Sequence, residues 1–369
     1  MKNVYGNALT LTLFGESHGS SIGAVLDGLS PGIPVDEAHI ARELTRRRPH
    51  GQTATARVEQ DPFVIESGVF NGCTTGTPLC IRIPNAGQHS GDYAGMQDCA
   101  RPGHSDYPAF CKYHGYSDYR GGGHFSGRIT AALVAAGAIA EGALRGRGIR
   151  IGTHLAACAG VQDRPFRQTD GQIPDGELDA LREPGFPVLD RAAGERMQQA
   201  ILAAKADGDS VGGVTETAVT GLCAGLGEPW FDTVEGMLAH GLFSVPAVRG
   251  VEFGDGFALA GMRGSAANDP YRITENGAVV TVGNRGSGIG GGITNGMPLV
   301  FRCAVKPTPS IALPQDSVDF VRGENVTLCV RGRHDPCVAP RACPVIDAVT
   351  ALTVADLLLM RFGNDALRV

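Results

Sequence analysis

The chain has 369 residues, a formal net charge of −6 and 53 glycines. Glycine at about twice the ~7% average would suit disorder, but 43% hydrophobic and only 19% charged residues exclude it. The negative net charge excludes a global basic field for nucleic acid, and the excess glycine points to backbone that turns tightly or approaches a ligand closely.

Residues 8–14 and 22–26 read as short strands around a polar loop holding Glu16, Ser17 and His18. Asp36 is the expected N-cap of a helix ending near Arg46. Residues 63–69 and 79–83 are β-type runs, and 85–98 read as a polar loop. Residues 129–144, ITAALVAAGAIAEGAL, are apolar on nearly every face, which predicts a helix buried all round. Its longest apolar run, 131–140, is short of a membrane span. The Pro/Gly/Asp-rich segment 162–187 reads as a surface excursion. Further helices are predicted at 190–206, 232–241 and 344–362, the last with Pro344 in its first turn and Gly363 closing it. Strands are predicted at 214–219, 248–253, 278–282 and 299–305. Ten cysteines with no CxxC pair, behind an N-terminus without a secretory-leader pattern, read as free, mostly buried thiols of a cytoplasmic protein.

Four clusters combine glycine with titratable or cationic side chains. GESHG (15–19) brings His18 close to any ligand of its loop. RPGHSDY (101–107) and DYRGGGHFSGR (118–128) place His104, Ser126 and Arg128 around a triple glycine that is read as running into a helix N-terminus, an anion site. GNRGSGIGGGI (283–293) contains G-x-G-x-x-G, but Gly296 and Pro298 follow where a Rossmann unit needs a helix. RGRHDPC (331–337) packs Arg, His and Asp at a proline turn, and its ligand spacing is too tight for zinc, so no metal is expected. The residues alone describe an enzyme for a small, multiply anionic substrate. An oxidoreductase and a nucleic-acid binder stand as the alternatives.

Together the motifs resemble the chorismate synthase family. They are FGESHG (14–19), DGLSPGIP (27–34), RRRP (46–49), SGVFNGCTTGTP (67–78), RPGHSDY (101–107), DYRGGG (118–123), DSVGG (209–213), RGVEFGDGF (249–257), GGITNGMP (291–298), KPTPSI (306–311) and GRHDPC (332–337). The resemblance implies an α/β (α+β) sandwich, a helical layer between two antiparallel sheets, as one domain over residues 1–369 that forms a homotetramer. It implies anti-1,4-elimination of phosphate and a C6 hydrogen from 5-enolpyruvylshikimate 3-phosphate to give chorismate. This is the last step of the shikimate pathway, and it needs reduced FMN without net redox change. With no appended reductase domain, an external flavin reductase would supply the reduced cofactor; neither nucleic acid nor membrane is expected as a partner.

Carried over position by position, the resemblance makes His18 the acid at the departing phosphate. His104 would protonate or stabilise the reduced flavin near N1 and the C2 oxygen, and Asp335 would accept the proton relayed through N5. Ser17 and Ser126 would support this proton network. Arg47, Arg48, Arg128 and Arg333 would surround the substrate anions. His124, Phe125, Ser126, Ala247, Gly291, Lys306, Pro307, Thr308, Pro309, Ser310 and Arg333 match flavin-contacting positions. The family's GGGRSSARETA reads GGGHFSGRITA here, so His124, Phe125 and Ile129 replace Arg, Ser and Glu.

Overall fold

The computed structural model describes residues 3–55, 59–85, 97–167, 172–330 and 334–368. Strands β1 (Val4–Tyr5), β2 (Thr10–Gly15), β3 (Ser21–Asp27) and β4 (Val64–Ser67) precede a small hairpin, β5 (Val69–Phe70) with β6 (Cys73–Thr74), and then β7 (Leu79–Pro84). Five of these make an antiparallel sheet in the order β1-β2-β3-β7-β4. In β7 burial alternates, so Leu79, Ile81 and Ile83 point into the core.

The second sheet uses β8 (Arg150–Cys158), β9 (Val161–Gln162), β10 (Gly213–Thr220) and β11 (Val248–Phe253). Hairpins follow, β12 (Tyr271–Ile273) with β13 (Val279–Thr281) and β14 (Ile289–Gly290) with β15 (Ile293–Thr294). Then come β16 (Leu299–Val305) and a last hairpin, β17 (Gln315–Asp319) with β18 (Glu324–Leu328). The sheet order is β11-β16-β10-β8-β9, again antiparallel.

The helices are α1 (Glu37–Arg47), α2 (Asp106–Tyr113), α3 (Thr130–Gly146), α4 (Asp175–Ala180), α5 (Arg191–Ala206), α6 (Val234–Ser244), α7 (Gly264–Ala267) and α8 (Ala339–Phe362). Helix α3 packs on β3 and β7, α8 packs on β8 and β10, and the two helices pack on each other. The helical layer therefore lies between the two sheets, as the motifs implied. That position explains the all-round apolarity of α3: residues from Thr130 to Glu141 are buried without a break. Gly137 lets the two helices meet, because a Cβ there would overlap Ala348 of α8. By length and hydropathy alone, residues 127–146 and 339–362 would qualify as membrane spans, but protein buries 83% and 94% of these windows. The 131–140 run thus belongs to the buried helix expected over 129–144.

Three expectations need correction. The last helix starts at Ala339; Pro340 takes its first turn, and Pro344 lies one turn further in, where it withholds an N–H from the ladder. Segment 162–187 is not a mere surface excursion. It contains α4, and Phe166, Ile173, Leu178 and Leu181 bury with Ala218 in a small core of their own. Strand β8 escaped sequence reading because both of its faces are covered, so its apolar pattern does not alternate. All ten cysteines are free thiols, but only Cys158, Cys303, Cys337 and Cys343 are buried.

Candidate active site

The triple glycine organises the site. Gly121, Gly122 and Gly123 have φ of 58°, 83° and 53°, a region side chains resist. A Cβ on Gly121 would overlap the His18 ring, while one on Gly122 would lie 3.4 Å from His104 Cε1 and 3.8 Å from Ser126 Cβ. One bare stretch of backbone thus packs against His18 on one residue and His104 on the next. The glycines do not run into a helix N-terminus as expected. Ser126 intervenes and caps the short turn Gly127–Ile129 before α3, accepting from the Arg128 N–H at 3.3 Å.

Ser17 ties the first loop to this backbone. Its N–H donates to Gly123 O at 3.1 Å, and its hydroxyl donates to the carbonyl of Arg120 or Gly121, each 3.1 Å away. The hydroxyl oxygen is then free to accept from His18 Nδ1, also 3.1 Å away. His124 Nδ1 donates to Gly15 O at 2.8 Å, so this ring braces the same loop. Phe125 is exposed, edge-on to Tyr113.

His104 lies 2.8 Å through Nδ1 from Asp106 Oδ1. Asp106 also accepts from Arg101 Nε and Nη2, both at 2.8 Å, and from the Arg101 backbone N–H at 3.0 Å. Burial pushes the Asp106 carboxyl up, but Arg101 and His104 outweigh it and hold the group well below the usual carboxylate range. A cleft of about 200 Å³ opens beside this pair, with Arg101, Asp106, Phe110, Asp118, Phe125 and Phe320 among its walls.

The segment Lys306, Pro307, Thr308, Pro309 and Ser310 packs on the loop that carries His104. The Lys306 ammonium donates to Gly103 O, and its backbone N–H donates to Ala247 O at 2.9 Å. Burial and then Arg249 lower the Lys306 ammonium from its ordinary value. Ser210 Oγ donates to Thr308 O at 2.7 Å, whereas Thr308 Oγ1 is buried with no hydrogen-bond partner among the described residues. An orphaned hydroxyl, a cation and a glycine turn suit a ligand with phosphate and polar ring edges, as a flavin mononucleotide has. Gly291 does not join this group. It turns the β14–β15 hairpin near the Leu299 end of β16, and Lys306 follows the Val305 end, seven residues away at about 3.3 Å each.

The arginines form a second group. Arg47 is buried and pairs with Glu59 and Asp61; Arg48 lies 3.6 Å from Asp61; Arg128 pairs with Asp61 and lies 3.5 Å from Glu59. Burial pushes the Asp61 carboxyl up, but Arg47, Arg128 and Arg48 prevail and lower it. Asp335 accepts from the Thr55 N–H at 3.0 Å and pairs with Arg341, whose Nε donates to Arg47 O at 3.0 Å. Asp335 therefore belongs to the arginine group. Arg47 Nη1 reaches Gly127 O at 3.3 Å, which joins the arginine group to the glycine loop. Arg46 is different: it points into the helical layer to Glu43 and Asp347. Arg333 lies outside the described residues, as does most of the predicted polar loop 85–98.

Sequence reading missed several supporting residues. Asn85 donates to Glu16 O and Gly19 O at 2.9 and 3.0 Å and accepts from Arg128 Nε at 3.0 Å, joining two motifs. Glu59, Asp61 and Arg341 stand outside the quoted motifs, and no local pattern marks them. Arg101 and Asp106 lie inside RPGHSDY but received no role. The G-x-G-x-x-G run forms a hairpin, not a helix entry.

The chorismate synthase family model matches residues 9–359. A protein described as chorismate synthase from Thermococcus gammatolerans is 48% identical over 356 residues, covering 96% of this chain and 97% of the relative. One from Dehalococcoides mccartyi is 43% identical over 360 residues, covering 97% of each. A solved structure described as chorismate synthase superposes with a TM-score of 0.75 at 28% identity, covering 98% of this chain and 94% of the other. With motifs, fold and site geometry in agreement, the chain belongs to the chorismate synthase family.

Proposed function

We propose that this lyase converts 5-enolpyruvylshikimate 3-phosphate to chorismate, with reduced FMN held between the His104 loop and the Lys306 segment. The observation that carries the reading is the glycine loop, which packs against both His18 and His104 beside a group of arginines. When bound, reduced FMN supplies electron density that assists departure of an otherwise poor allylic leaving group.

The chain's own residues do the rest. Arg47, Arg48 and Arg128 neutralise the phosphate and carboxylates and fix the ring's position. His18 gives the departing phosphate a proton, with Ser17 steering the imidazole through Nδ1. His104 holds a proton at the N1 and C2-oxygen edge of the flavin. Asp335 takes up the proton that leaves the substrate, and Arg341 stabilises the carboxylate meanwhile. Ser126 supports the proton network between the two histidines. Lys306, Thr308, Ser310 and Ala247 hold the cofactor, and Arg333, His124 and Phe125 complete its edge. We further infer one domain over the whole chain, a homotetramer, a cytoplasmic setting and an external flavin reductase.

Anaerobic incubation of the pure protein with chemically reduced FMN and 5-enolpyruvylshikimate 3-phosphate tests this. Stoichiometric phosphate and chorismate with unchanged flavin redox state are expected. No phosphate release would sink the reading, and net substrate oxidation would favour an oxidoreductase instead.

A further inference from the structure

We infer that Asp106, clamped by Arg101, is a positioning residue that keeps His104 in one tautomer and aims its Nε2 at the glycine loop. The inference rests on the reading above only for what His104 does; the geometry is independent of it.

Each oxygen of Asp106 is committed. Oδ1 lies 2.8 Å from His104 Nδ1 and accepts from Arg101 Nη2 at 2.8 Å, and Oδ2 accepts from Arg101 Nε at 2.8 Å and the Arg101 N–H at 3.0 Å. A guanidinium bound side-on leaves the carboxylate little freedom to rotate. Arg101 itself is buried, and its carbonyl accepts the His104 N–H at 3.1 Å. The Arg-Pro-Gly-His turn therefore sets the distance between clamp and ring.

An ionised carboxylate can only accept hydrogen bonds. With a carboxylate oxygen 2.8 Å away, the neutral ring favours its proton on Nδ1, and Nε2 is then the bare nitrogen. Arg101 Nη2 at 3.2 Å and Ser105 Oγ at 3.4 Å also lie near Nδ1, but the carboxylate oxygen is nearer and carries the charge that favours an N–H facing it. On the far side, a Cβ on Gly122 would stand 3.4 Å from Cε1 and 3.5 Å from Nε2. Nothing among the described residues hydrogen-bonds Nε2. Asp106 thus leaves one basic nitrogen exposed toward the backbone that also holds His18, and its fixed negative charge balances the imidazolium formed when Nε2 takes a proton. Histidines oriented by a carboxylate on the second nitrogen recur wherever a ring must exchange protons in a set direction.

The experiment uses the full chain without cofactor, labelled with 15N-histidine. In the wild type the neutral His104 ring should show a protonated Nδ1 and a bare Nε2. In Asp106→Asn, whose amide offers N–H groups as well as oxygen, the Nε2–H form should become populated, and Asp106→Glu should restore the original pattern in part. In turnover assays Asp106→Asn should lower kcat about a hundredfold or more with KM for substrate within about threefold. In a His104→Ala background it should change kcat by less than about threefold. Unchanged ring 15N shifts in folded Asp106→Asn, or an equal loss with His104 absent, would overturn the inference. Should Asp106→Asn not fold, Arg101→Lys keeps the carboxylate and removes the side-on clamp; a mixed tautomer supports the inference, and an unmixed Nδ1–H ring refutes it. Because the ring spectrum needs no turnover, a protein that releases no phosphate would refute the function and leave the tautomer assignment standing.

Discussion

His104 and His154 are both held by carboxylates, and the difference between them separates chemistry from architecture. His154 sits on β8 with both nitrogens engaged, Nδ1 to Asp163 at 2.9 Å and Nε2 to Glu216 at 3.1 Å, and its side chain is fully buried. Asp163 also accepts from the N–H groups of Leu189 and Asp190 at 2.6 and 2.9 Å, so the histidine fastens the 162–187 segment to the second sheet. His104 has one nitrogen tied and the other facing the glycine loop. A ring satisfied on both sides can only hold; a ring satisfied on one side can also exchange a proton.

The ion-pair groups repeat the contrast. Around the helical layer three arginines, Arg46, Arg145 and Arg182, meet four carboxylates, Glu43, Glu141, Asp179 and Asp347. At the site, among the described residues, Arg47, Arg48, Arg128 and Arg341 meet Glu59, Asp61 and Asp335, four against three. A group with carboxylates in excess repels an incoming anion, whereas an excess cation favours one.

The comparison breaks most readily at His104. Replacing it with Ala should cut phosphate release about a thousandfold and leave the thermal unfolding midpoint near its wild-type value. A loss below tenfold would remove the functional half of the contrast. His154→Leu should do the reverse, destabilising by about 3 kcal/mol in denaturant titrations while kcat of the folded fraction stays within twofold.

The pH dependence sharpens that second half. Burial lowers His154, but Asp163 and Glu216 outweigh burial and raise it above its ordinary value of 6.5. A raised histidine contributes stability fully below its unfolded pKa and loses it as pH rises through the folded value. Wild-type stability should therefore fall as pH climbs from 6.5 through that raised value, and His154→Leu should lack this component. A wild-type curve parallel to the variant's would contradict the pairing.

Smaller effects test the layers around both histidines. Gly137→Ala should destabilise by about 2 kcal/mol, since its new methyl group would meet Ala348 where α3 and α8 touch; a neutral result would mean the helices can separate freely. At the low end, Arg191 pairs with Glu195 on α5 with side chains 94% and 61% exposed. Arg191→Ala should change stability by less than about 0.5 kcal/mol, which checks that ion pairs matter here through burial and not through number.

Much of the fold was legible where local chemistry is decisive. Asp36 caps α1 by accepting the His39 N–H at 2.9 Å, Asp190 caps α5, and Gly363 closes α8 with φ of 78°. Strands β11 and β16 match their predicted limits because their edges are turns written in Gly and Pro. Strand β8 was invisible because burial on both faces erases the period that marks a strand. At the site, the motif residues proposed to touch ligand stood out by type, and the residues that hold them in place did not. Asp61 has φ of 46° and gathers three arginines from two distant motifs, and nothing near position 61 announces that.

Sequence by itself determined the family and the buried central helix, because each is written in contiguous residues whose types allow few alternatives. Tertiary structure alone decided which carboxylates each arginine meets. It also decided that Gly291 lies away from the Lys306 segment, and that His154 has carboxylates on both nitrogens while His104 has one on a single side. The pairings of Arg128, Arg46 and His154 depend on Asp61, Asp347 and Glu216, brought in from far along the chain, and charge pairing falls off over a few ångströms of space whatever the separation in sequence.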